Sequence, residues 1–135
     1  MFPQAGIRTK TLRLTLAVVF LTIAGCRHRA SEDAGITIHE SISPTPLRVG
    51  SAVATFQILT HDGVPLQGAK LEVEADMSHP GMAPIFSTAT ELSPGKYQAV
   101  LSLTMAGDWV LLLHLHCLDG KQIERQLDLR NVQPK

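Results

Sequence analysis

The chain has 135 residues, with 12 Lys and Arg against 12 Asp and Glu, and two cysteines. That length suits one domain around a single hydrophobic core that needs no staples. The balanced charge argues against nucleic-acid binding through a basic face, and two cysteines cannot make a disulfide framework.

The N-terminus carries the sharpest signal. Arg8, Lys10 and Arg13 form a basic stretch with no acid near it, and residues 14–25 are an uncharged, mostly apolar run. As a helix this run reaches about 18 Å, against the ~30 Å hydrocarbon core of a bilayer. It has the length of a signal peptide, not of a transmembrane anchor. It ends in Ile23-Ala24-Gly25-Cys26, which resembles the lipobox read by bacterial signal peptidase II. The two small residues let an extended backbone enter the peptidase, and the cysteine thiolate accepts diacylglycerol.

Residues 1–25 are therefore expected to be a lipoprotein signal peptide, with Cys26 the lipidated first residue and the contact with the membrane. Residues 26–34 are polar and without periodicity, and read as a tether. Loss of Arg8, Lys10 and Arg13 takes the 12 basic residues to 9 against 12 acidic, a net charge of −3. Membrane attachment then has to come from the acyl chains. The expected location is the cell envelope, facing the periplasm or the cell exterior. With Cys26 acylated, Cys117 has no disulfide partner in its own chain.

Residues 35–131 show recurrent strand patterns separated by turns, with no helix-length amphipathic run. Ile36, Ile38 and Ile42 mark a first strand that stops before Pro44 and Pro46. Gly50 opens a second, with Ala54, Phe56 and Ile58 on one face, closed by His61-Asp62-Gly63. The third alternates most cleanly: Leu71, Val73, Ala75 and Met77 against Lys70, Glu72, Glu74 and Asp76. Such alternation places one face on a core and one in water. Residues 78–84 hold two prolines and a glycine, so regular strand stops there. A weaker fourth strand is expected over 85–91, and Pro94-Gly95 turns into a fifth that aligns Tyr97, Ala99, Leu101 and Leu103. The sixth covers 109–118, with Trp109, Leu111, Leu113, Leu115 and Cys117 on the core face. Asp119-Gly120 reads as a two-residue hairpin into a seventh at 121–129. The expected fold is all-β, an immunoglobulin-like sandwich of about seven antiparallel strands.

The run from Gly50 through Asp62-Gly63, Leu71 to Met77, Gly95-Lys96-Tyr97 and Ala106-Gly107-Asp108-Trp109 resembles the YtkA-like family over residues 36–130. These are extracytoplasmic, often lipid-anchored domains similar in pattern to FixH proteins. The most specific piece is the Gly-x-Tyr strand followed ten residues later by Gly-x-Trp. The resemblance implies an immunoglobulin-like fold outside the cytoplasm and, for some members, copper or heavy-metal handling.

Two groups of residues offer metal chemistry. Met77, His79 and Met82 lie on or beside the turn after the third strand, and thioether and imidazole donors suit Cu(I). Met77 is also in phase with the core, where it would serve as packing. His114 and His116 share a strand face about 6–7 Å apart, a spacing that can chelate Zn or Cu(II) or simply leave two solvated histidines. If the third and sixth strands are antiparallel neighbours, Glu72 or Glu74 faces these histidines and Met77 lies beside Trp109. The two groups are then roughly 15–20 Å apart and cannot share one ion.

No Gly-x-Ser-x-Gly elbow, phosphate loop or Gly-x-Gly-x-x-Gly occurs, so no enzyme is expected. The expected function is a lipid-anchored binding or accessory domain for copper or another transition metal, with Cu(I) the ion that suits the 77–82 loop. The alternative is a metal-free structural or interaction module holding a protein partner in an envelope complex.

Overall fold

The computed structural model describes residues 35–79 and 81–135. The expected signal peptide, Cys26 and the tether lie outside the described residues. Eight strands follow in order: β1 (Ile36–Ser43), β2 (Gly50–Thr60), β3 (Lys70–Met77), β4 (Ile85–Thr88), β5 (Thr90–Ser93), β6 (Lys96–Leu103), β7 (Gly107–His116) and β8 (Gln122–Val132). They form two antiparallel sheets, β1-β2-β6-β5 and β4-β3-β7-β8. This is the immunoglobulin-like arrangement of two packed sheets, with one extra strand beside β3.

The inward faces follow from period-two alternation. Phe56 and Ile58 of β2, Tyr97 and Leu101 of β6, and Leu71 and Val73 of β3 meet Trp109, Leu111 and Leu113 of β7 in one core. Among the described residues no polar or charged residue other than Tyr97 and Trp109 joins that core. Tyr97 brings a hydroxyl inside and satisfies it fully: it donates to the Leu66 carbonyl at 2.7 Å and accepts from the Ala69 N–H at 3.1 Å. This pair fixes the β2–β3 loop against the first sheet. Burial pushes the Tyr97 phenol pKa above its ordinary value.

Four sequence expectations need correction. The single weak strand at 85–91 is two strands in different sheets. Thr88 pairs with Glu72 in one sheet, whereas Thr90 pairs with Gln98 in the other. The chain crosses between sheets at Ala89, whose N–H donates to the Leu71 carbonyl at 2.9 Å. Ile85-Phe86-Ser87-Thr88-Ala89-Thr90 has no sustained alternation, so neither sheet can claim the whole segment.

The hairpin after β7 has three residues in its loop, not two. The Cys117 N–H donates to the Lys121 carbonyl and the Gly120 N–H to the Cys117 carbonyl. Gly120 takes φ +83°, the left-handed position that such a loop requires. Cys117 consequently sits past the end of β7, half-buried at the margin of the core and not within it as expected. The last strand also runs on to Val132, beyond 129. Past it, the Gln133 N–H donates to the Leu47 carbonyl and the Val49 N–H to the Gln133 carbonyl, both at 2.9 Å.

Candidate metal centre

The register of β3 on β7 decides where each candidate ligand lies. Met77 stands opposite Trp109, Glu72 opposite His114 and Lys70 opposite His116. The loop candidates and the histidine pair are therefore at opposite ends of two neighbouring strands, as the antiparallel reading requires.

Met77 ends β3 and is buried in the core. Beyond it the chain is tied down: Ser78 Oγ donates to the Asp108 carbonyl at 3.0 Å, and the Ser78 N–H donates to the same oxygen at 3.3 Å. The β6–β7 turn is held equally firmly, because Trp109 Nε1 donates to the Met105 carbonyl at 3.0 Å. The two loops face each other across a cleft of about 350 Å³ lined by Met77, His79, Gly81, Met82, Met105 and Ala106. Met82 is half-buried, while His79 and Met105 are exposed. Gly107 leaves space for this packing. A Cβ there would come 3.3 Å from the Met77 methyl, on a backbone with φ +128°.

Met105 is the residue that sequence reading missed. No motif marks it, since it lies more than twenty residues from Met82. The signal was the strand order: once the end of β3 lies beside the start of β7, residues just before β7 must border the 78–82 loop. The cleft thus gathers Met77, Met82 and Met105, every methionine of the chain except Met1. Three soft thioethers beside an imidazole form a donor set matched to Cu(I) and poorly matched to hard cations.

The histidine pair is arranged differently. His114 Nε2 lies 2.8 Å from Glu74 Oε2, and its Nδ1 lies 3.3 Å from Glu124 Oε1. Partial burial opposes its charge, but hydrogen bonds to Glu74 and then Glu124, with both carboxylate charges, outweigh that and raise its pKa above 6.5. Both ring nitrogens are engaged, so His114 bridges β3, β7 and β8, as an ion pair when the imidazole is protonated. His116 is exposed on the same outer face, between Lys70 and Gln122 in register. Among the described residues, no three His, Cys, Asp or Glu side chains are grouped to hold a metal ion.

Cys117 lines a separate cleft of about 460 Å³ with Gly35, Ile36, His61, Leu66 and Ile123 among its neighbours. Burial, then the Asp119 charge, raise its thiol pKa despite the opposing Lys121. The thiol form is therefore favoured, and a thiolate ligand disfavoured.

No curated protein matches in sequence. The crystal structure of the PmoD soluble domain from Methylocystis sp. Rockwell is similar at 16% identity and a TM-score of 0.49. The similarity covers 69% of this chain and 89% of that one. The YtkA-like family model matches residues 30–114, starting before the span expected from the motifs and ending within β7, ahead of β8. The chain belongs to the YtkA-like family.

Proposed function

We propose that this chain is a lipid-anchored, extracytoplasmic accessory domain that holds Cu(I) in the cleft between the 78–82 loop and the β6–β7 turn. One observation carries the reading: Met105, from the β6–β7 turn, lines one cleft with Met77, His79 and Met82. Thioether and imidazole donors bind Cu(I) outside the cytoplasm, where free thiols oxidise. Membership of the YtkA-like family supports an extracytoplasmic setting, and the lipobox-like Ile23-Ala24-Gly25-Cys26 supports the anchor. The exposed, shallow setting of His79 and Met105 suits an ion that is received and passed on. The role proposed for the cleft is binding.

Competition between the processed protein and a chromophoric Cu(I) chelator, without oxygen, tests this. Met82→Ala, Met105→Ala and His79→Ala should each weaken binding about tenfold or more, equivalent to ~1.4 kcal/mol per lost ligand. A His114→Ala/His116→Ala double variant should bind as the parent does. A parent that binds no better than a buffer control would leave the metal-free interaction module as the function.

A further inference from the structure

The end of the sandwich opposite the methionine cleft presents a second surface. The β2–β3 loop, the β5–β6 turn and the β7–β8 hairpin converge there, because Thr60 pairs with Ile36, Ser93 with Lys96 and His116 with both Lys70 and Gln122. Each carries or adjoins a large outward apolar side chain: Val64 in the β2–β3 loop is 55% exposed, Leu92 near the end of β5 53% and Leu118 in the hairpin loop 85%. Among the described residues only Phe86, Val100 and Met105 are comparable elsewhere. Leu118 is thrust out by the three-residue hairpin loop and leans over Gly68, where a Cβ would lie 2.8 Å from its Cδ1. It forms a shared wall of two adjoining clefts, one bordered by Gly35 and Ile36 and the other by Leu92 and Pro94.

Charge at this end is balanced, with Asp62, Glu91 and Asp119 against Lys70, Lys96 and Lys121. The Glu91 carboxylate is already occupied, accepting from the Gly68 N–H at 2.9 Å and the Gly95 N–H at 3.1 Å. The surface is therefore suited to an apolar contact that needs no particular charge on its partner. The chain itself indicates that partner. Gly35, on the rim of the Leu118 cleft, is where the tether arrives. Residues 26–34 can span no more than about 30 Å fully extended, so a lipid on Cys26 keeps the bilayer on this side of the domain.

We propose that the end bearing Val64, Leu92 and Leu118 docks on the bilayer, placing these tips at the headgroup–acyl boundary. The inference rests on lipidation of Cys26. Anchoring makes the contact intramolecular, so a small apolar footprint suffices to populate it. Because β7 spans about 30 Å, docking would hold the methionine cleft away from the membrane and open to soluble partners.

The test uses the lipidated protein on phosphatidylcholine vesicles, with a nitroxide on Leu118→Cys in a Cys117→Ala background. The same label on Thr104→Cys reports the opposite end. The ratio of collisions with oxygen to collisions with a water-soluble nickel complex should be several-fold higher at 118 than at 104. A label on Val64→Cys should behave like the one at 118, and high salt should change neither. Equal ratios at 118 and 104 on protein that floats with the vesicles would overturn docking while leaving the anchor intact. Protein that fails to float, and lacks an acylated Cys26 by mass, would overturn both. Loss of the difference in high salt would assign the contact to headgroup charge and overturn apolar insertion.

Discussion

Tyr97 carries more of the fold than its single hydroxyl suggests. It is buried on β6, yet its oxygen serves two backbone groups of the β2–β3 loop, the Leu66 carbonyl and the Ala69 N–H. Tyr97→Phe would keep the ring packing and strand both groups. It should therefore cost about 1–3 kcal/mol in urea unfolding, the penalty for partly buried polar groups without partners. An unchanged unfolding midpoint would show that water replaces the hydroxyl freely. His114 makes a pH-dependent contribution of definite sign. Its folded pKa is raised above 6.5 by Glu74 and Glu124, so its stabilisation is full below the unfolded value near 6.5 and is lost as pH rises through the folded value. NMR titration of the imidazole should give a pKa above 6.5 that falls in Glu74→Gln. A folded pKa below 6.5 would mean that desolvation dominates.

At the scale of elements, legibility in the sequence followed the regularity of the alternation. β3 was readable to the residue because Leu71, Val73, Ala75 and Met77 alternate with four charged neighbours, and β6 and the body of β7 were nearly as clear. The β4–β5 pair was not, since its residues satisfy two sheets for four residues each, and no local pattern announces a crossing at Ala89. Cys117 misled for a related reason. Its parity matches Leu115, but parity holds only while the ladder continues, and the three-residue hairpin loop begins immediately afterwards. The candidate site was half legible. Met77, His79 and Met82 are close in sequence, whereas Met105 joins them only through the β3–β7 register. Gly107 connects these two scales. Gly107→Ala would force a side chain onto a backbone with φ +128° and against the Met77 methyl. We expect destabilisation of about 1 kcal/mol or more with weakened Cu(I) binding, checked by thermal unfolding and chelator competition. Wild-type values for both would mean that the turn has room to relax.

The whole molecule has a direction. One end holds Gly35, the first described residue, and shows the apolar tips Val64, Leu92 and Leu118; the other holds the cleft lined by Met77, His79, Met82 and Met105. The two ends are joined by an apolar core that runs from Trp109, paired with Met77 at the cleft end, to Leu115, paired with Leu71 at the other. Attachment is tested by Cys26→Ala, which should leave full-length precursor in the membrane fraction, because the lipobox peptidase acts only on the acylated cysteine. A soluble protein cut elsewhere would contradict the anchor. The central claim is the chemistry at the far end, and X-ray absorption at the copper edge of the Cu(I)-loaded protein addresses it most directly. The account predicts a first shell dominated by sulfur, with a nitrogen contribution from imidazole, and loss of sulfur scattering in Met82→Ala and Met105→Ala. A shell of nitrogen and oxygen alone, unaltered in those variants and removed in the His114→Ala/His116→Ala protein, would contradict it.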